Sequence, residues 1–158
     1  LPKFYGEDIK VDANGKAYVT GRIDYAIVDF APGAEVYNIR SKGNSDIFVM
    51  GLNDQGGLSW VRTFGAAGND VGTGIAVDAS GAVYTTGAFL NTVVFNADPS
   101  ASTPALTSAG GTDIFIHKMT QSSKCTKLTN VRCKFTYCNS TSSHHTNTSI
   151  SSHCHKVQ

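Results

Sequence analysis

Val77-Asp78-Ala79-Ser80-Gly81-Ala82-Val83-Tyr84-Thr85-Thr86-Gly87 repeats, 66 residues later, Val11-Asp12-Ala13-Asn14-Gly15-Lys16-Ala17-Tyr18-Val19-Thr20-Gly21. Ser45-Asp46-Ile47-Phe48-Val49 returns in the same order as Thr112-Asp113-Ile114-Phe115-Ile116, at an offset of 67. An internal repeat of this length implies a modular architecture, one structural unit per copy. Within each copy the apolar residues are β-branched or aromatic and are punctuated by turn residues, so strands are expected rather than helices. Asp-Ala-Asn-Gly and Asp-Ala-Ser-Gly reverse the chain because the Asp side chain accepts a backbone N–H two residues on and Gly takes the positive φ of a tight turn. Gly15 and Gly81 are therefore structural turn residues, and hairpins are predicted over 9–21 and 75–87.

A third strand is expected over 46–52 and again over 113–119, and the first copy adds a fourth at 58–64 with the single tryptophan, Trp60. Asp46 and Asp113 open the third strand of each copy, where a carboxylate accepts bonds from turn N–H groups. Four short antiparallel strands in roughly 40 to 65 residues is the size of one propeller blade. The fold class expected is all-β, two propeller-type blades forming a partial β-propeller, followed by a largely irregular C-terminal tail. Val28-Asp29-Phe30-Ala31-Pro32-Gly33 and Val94-Phe95-Asn96-Ala97-Asp98-Pro99-Ser100 interrupt the two copies at matching places and read as a protruding hairpin or loop.

The run from Gly68 to Gly87, the Asp98-Pro99-Ser100 loop and the run from Leu106 to Lys118 closely resemble the bacterial β-propeller repeat abbreviated SBBP. The resemblance covers about residues 5 to 120 and is tighter in the second copy than in the first. The first copy departs from it at Met50-Gly51, and its leading strand reads as shortened to Glu7-Asp8-Ile9-Lys10. The resemblance implies a propeller scaffold within a secreted or cell-surface protein, hence an extracellular setting, with no catalytic residues to carry over. Closure generally needs four to eight blades, because open ends leave apolar faces and unpaired edges. The chain is accordingly expected to be part of a longer array, to self-associate into a ring, or to be closed by its own tail.

The residues divide into a first repeat (1–66), a second repeat (67–120) whose last strand is missing or atypical, and a tail (121–158) rich in Ser, Thr, Cys and His. All 12 acidic residues and all 16 glycines precede the tail. The body is therefore acidic and the tail basic, while the whole chain carries +1. The acidic body argues against nucleic-acid binding. No run approaches the roughly 18 to 20 apolar residues that span a bilayer, and Leu1-Pro2-Lys3 opens no signal peptide. Lys127 to Tyr137 alternates well enough to add a strand, 139–153 reads as disordered, and the abrupt change of composition suggests an out-of-frame reading of a further repeat.

Cys133 and Cys138 with His144, His145, His153, Cys154 and His155 supply zinc-type ligands at a spacing that matches no standard finger. Cys125, Cys133, Cys138 and Cys154 admit three disulfide connectivities in an exported chain. Asn139-Ser140-Thr141 and Asn147-Thr148-Ser149 are formal glycosylation sequons of the kind that arise by chance in such a tail. Asp12, Asn14, Asp78 and Ser80 offer oxygen ligands for Ca²⁺, but turn geometry explains them without a metal, and no cofactor is otherwise expected. No nucleophile elbow, zinc-protease helix or phosphate loop is present, and His117 reads as a partly exposed structural residue. The expectation is a non-enzymatic scaffold or interaction module with a protein or glycan partner, or with further copies of itself. The alternative is a carbohydrate- or calcium-binding module using Tyr25, Asp29 and Asp98 in the inter-strand loops.

Overall fold

A computed structural model describes residues 3–31, 34–95, 105–122, 136–142 and 153–154. The first repeat supplies β1 (Lys3–Val11), β2 (Ala17–Asp24), β3 (Ile27–Asp29), β4 (Asn38–Arg40), β5 (Ser45–Leu52) and β6 (Leu58–Phe64). The second supplies β7 (Val71–Val77), β8 (Val83–Val94) and β9 (Ala105–Ser122), followed by β10 (Thr136–Ser142) and β11 (His153–Cys154). All described elements are strands, and none of the described residues forms a helix able to cross a membrane.

The strands assemble into two antiparallel meanders, β1-β2-β5-β6 and β7-β8-β9-β10-β11, with β3-β4 as a separate small hairpin. Register repeats with the sequence: Tyr18 pairs Gly51 and Thr20 pairs Val49, as Tyr84 pairs Lys118 and Thr86 pairs Ile116. A β-bulge between Gly6 and Asp8 in β1 recurs between Gly72 and Gly74 in β7. The leading strand of the first copy is nine residues long, two more than its counterpart. The expected shortening to 7–10 is corrected, because the bulge absorbs Glu7 and lets pairing resume back to Lys3↔Asp24.

The inserted pieces differ between copies. In the first, β3 pairs β4 apart from the main sheet; in the second, the ladder resumes beyond Leu90 as Thr92↔Thr107, Val93↔Leu106 and Val94↔Ala105. Both departures begin at a residue of positive φ, Tyr25 (43°) and Asn91 (68°), again 66 positions apart. The fourth strand of the second sheet is Thr136–Ser142, which overlaps the expected 127–137 at its first two residues and runs on into the stretch from 139 read as disordered. The rest of 143–152 and residues 123–135 lie outside the described residues.

Alternation gives each sheet two faces. Tyr18, Thr20, Ile47, Val49 and Phe64 line one face of the first sheet and are buried against Ile75, Val83, Phe89, Phe115 and Met119 of the second. On the opposite face of the first sheet, Ile23, Phe48 and Val61 are closed over by Ala26 and Phe30. Phe95 joins the sheets, with its ring 5.7 Å from Phe64 and 4.7 Å from Phe115. His117 is buried in this aromatic layer, 4.8 Å from Phe64, so the expected partial exposure is corrected. Its strand position puts it on the face that meets the first sheet, which periodicity within its own strand does not reveal.

The two sheets are also bonded through backbone. Asp8 accepts from the Ile75 N–H at 3.0 Å, and Asp70 N–H donates to the Ser45 carbonyl at 2.9 Å. The Asp70 carboxylate accepts from Ala66 at 3.1 Å and from Leu90 at 2.9 Å, tying the inter-repeat link to β8. Gly72 permits the close approach: a Cβ there would lie 2.2 Å from the Thr20 hydroxyl.

Candidate functional site

Two clefts bring together residues that the sequence analysis singled out. The first, about 210 Å³, lies between the two repeated turns and is lined by Asp12, Asn14, Lys16, Tyr18, Asp78 and Ser80. Stacking of the two sheets places equivalent hairpin ends side by side, so all four expected calcium ligands, Asp12, Asn14, Asp78 and Ser80, come to one place.

The two aspartate carboxylates and the Ser80 hydroxyl are already engaged. Asp12 Oδ1 accepts from the N–H groups of Asn14 (2.8 Å) and Lys16 (3.0 Å), and Oδ2 accepts from the Tyr18 hydroxyl (3.2 Å). Asp78 repeats the pattern with Ser80 N–H and Oγ, Ala82 N–H and the Tyr84 hydroxyl. The Ser80 hydroxyl first, then the Ala82 N–H, holds the Asp78 carboxyl down at about 2. At Asp12 partial desolvation works upward, but the Lys16 and Asn14 N–H bonds outweigh it and the carboxyl ends below its ordinary value. Gly15 (φ 77°) and Gly81 (φ 80°) close these turns in the left-handed region that side chains avoid. Among the described residues no three His, Cys, Asp or Glu side chains converge on a common point.

The second cleft, about 380 Å³, is lined by Arg22, Asp24, Tyr25, Asn44, Ser45, Asn69 and Val71. It forms where the end of β2, the start of β5 and the link into β7 meet, across the parallel bridge Ser45↔Asn69. Arg22 is held by Glu7 (2.6 Å) and Asp24 (3.2 Å) and stacks 4.2 Å over the Tyr5 ring. Tyr25 is 76% exposed at the rim, its N–H donating to the Asn44 carbonyl at 3.0 Å. The cleft thus offers a guanidinium, carboxamides and an aromatic face, groups that suit a hydroxyl-rich ligand.

Of the other expected binding residues, Asp29 is separate from this cleft: its carboxylate accepts from the Tyr37 and Ala31 N–H groups, which together hold it below the usual range. Asp98 lies outside the described residues, as do the side chains of Cys125, Cys133, Cys138, Cys154 and the tail histidines. The buried Asp46 carboxylate accepts from the Lys42 N–H, and Asp113 accepts from the equivalent Ala109 N–H at 2.9 Å. Burial raises Asp46, with the nearby Asp70 charge adding to it and the Lys42 bond opposing it.

Sequence reasoning missed Arg22, Asn44 and Asn69, since no local motif links three separate strand ends. It also missed Asn53, whose Oδ1 accepts from Gln55 (3.0 Å) and Gly57 (2.8 Å) in a third copy of the turn. There the signal was present: Asn53-Asp54-Gln55-Gly56 has the spacing of Asp12 to Gly15, and Gly56 has φ 80°. Comparison with family models, curated proteins and solved structures returned no match.

Proposed function

We propose that this chain is a non-enzymatic, β-propeller-type scaffold or interaction module of an exported or cell-surface protein. The observation that carries the reading is the way one repeat's sheet lies face to face on the next, through Ile47, Val49 and Phe64 on one side and Phe89, Phe115 and Met119 on the other. Adjoining propeller blades are built on such stacking. The chemistry-bearing residues support the same reading, because the carboxylates of Asp12, Asp46, Asp70, Asp78 and Asp113 accept from turn and link N–H groups. The resemblance to bacterial propeller repeats adds the extracellular setting.

A second reading, carbohydrate binding, draws on the exposed Tyr25 at the rim of the Arg22–Asn69 cleft. Calorimetric titration of the purified chain with a panel of oligosaccharides and with Ca²⁺ separates the two. Silence across both supports the scaffold. Saturable sugar binding that Tyr25→Ala removes would replace the scaffold reading with a lectin-like one, and turnover of a sugar, ester or peptide substrate would sink it outright.

A further inference from the structure

The contact between the two sheets uses one face from each, and the repeat supplies a second copy of both faces, of which the first sheet's is closed over at Ile23, Phe48 and Val61 by Ala26 and Phe30 and open at Ile9 and Val11. On the first sheet the contact face carries Tyr18, Thr20, Ile47 and Val49, exposed by 3%, 0%, 0% and 0%. Their counterparts on the second sheet are Tyr84, Thr86, Ile114 and Ile116. Tyr84 is half-buried and Thr86 exposed, while Ile114 and Ile116 are 62% and 53% exposed. On the second sheet the contact face carries Ile75, Val83, Thr85 and His117, all at 4% exposure or less. Their counterparts on the first sheet are Ile9, Ala17, Val19 and Met50. Ile9 is 55% exposed and its neighbour on that face, Val11, 61%, whereas Ala17, Val19 and Met50 are half-buried.

Each end of the two-sheet unit therefore presents the half of an interface whose other half lies at the opposite end. Side-chain types are kept across the offset: Tyr84 for Tyr18, Thr86 for Thr20, Ile114 for Ile47, Ile116 for Val49, Ile9 for Ile75. Backbone features that shape the contact also recur, notably the paired bulges and the Thr20 and Thr86 hydroxyls donating to the Phe48 and Phe115 carbonyls at 2.9 and 2.8 Å. An isoleucine pair open to water on a flat sheet face is apolar area that association would remove from solvent.

We infer that the Ile114–Ile116 face of one copy of this chain docks on the Ile9–Val11 face of a second copy, continuing the internal sheet stacking from molecule to molecule. The inference rests on the scaffold reading and deepens it by naming the partner. Such a contact is head-to-tail, so it adds copies until a ring closes or a filament grows.

The test is sedimentation velocity on the full 158-residue chain over a concentration series, with Ile116→Asp, Ile9→Asp and the turn variant Gln55→Asp. Wild type and Gln55→Asp should exceed the 16.7 kDa of one copy in a concentration-dependent way. Each Asp variant alone should associate at least tenfold more weakly, because a desolvated, unpaired carboxylate is placed at the contact. A one-to-one mixture of the two Asp variants should restore a dimer and nothing larger, since that mixture retains one intact pair of faces. Circular dichroism confirms that both variants fold, and Ile114→Asp replaces Ile116→Asp if that one does not. A one-copy mass for wild type at every concentration overturns the proposal while leaving the scaffold reading standing. Retained association in either variant, or no dimer in the mixture, overturns it equally. Enzymatic turnover would remove the scaffold reading without bearing on the mass.

Discussion

The Asp-x-x-Gly turn concentrates several hydrogen bonds on one carboxylate, and its pH response follows from that. Asp78 is held at about 2, against 3.8 for the free side chain. A depressed carboxyl pKa contributes stability that is complete above the unfolded value, near pH 4, and is lost as pH falls through about 2. The thermal midpoint should therefore drop between pH 4 and pH 2, and Asp78→Asn should flatten that drop while keeping the turn, as Asn53 does without charge in the third turn. Asp46 has the opposite sign. Burial raises its pKa, so its protonated form favours the fold and that contribution is lost as pH rises above the carboxylate range. Asp46→Asn should raise the midpoint at pH 7 and narrow the gap between pH 4 and pH 7 in a melting series. At Asp70 the carboxylate satisfies two part-buried N–H groups, one in the link between the repeats and one in β8. Asp70→Ala should cost about 2 kcal/mol or more, read from urea denaturation, because each donor left unsatisfied away from water costs at least about 1 kcal/mol. The turns were legible because Asp and Gly act within four residues. Asp70 was not, because its donors belong to β8 and to the end of the first repeat.

At the scale of single elements, the bulges and close strand approaches decide which glycines matter. A Cβ on Gly87 would lie 2.0 Å from the Val71 carbonyl oxygen, and one on Gly21 would lie 1.9 Å from that of Tyr5. Both stand opposite a bulged partner strand, where the backbone passes closest. Gly87→Ala should destabilise by about 1–3 kcal/mol or more, since β7 and β8 must part to admit the methyl group. Gly111→Ala, with nothing within 4 Å, should change stability by less than about 0.5 kcal/mol in the same denaturation assay. The three strands common to both repeats were legible, because alternation and turn residues are local signals. The length of β1 was not: Glu7 breaks the alternation and hides the continuation to Lys3. The position of β10 was not legible either, since Thr136–Ser142 has the composition of a polar linker.

For the whole molecule, the aromatic layer around Phe64, Phe95, Phe115 and His117 makes one core out of two sheets. Phe64→Ala should cost about 3–5 kcal/mol, as removal of a buried phenylalanine does. Hydrogen exchange should then show the loss of protection in β8 and β9 as well as in β5 and β6. Protection lost from the first sheet alone would mean that the sheets unfold independently. The sequence by itself determined the all-β class, the duplication, the turns at Gly15 and Gly81 and the strands those turns connect. Each of these depends on side chains and φ preferences within a few residues of one another. Only the tertiary structure decided that one face of each repeat meets its neighbour, that His117 lies inside, and that Asp12 and Asp78 share one cleft while Arg22, Asn44 and Asn69 share another. Burial is set by what packs on a face, and two copies with the same alternating pattern have different neighbours: Ile47 is covered by the second sheet, and Ile114, its counterpart, faces water.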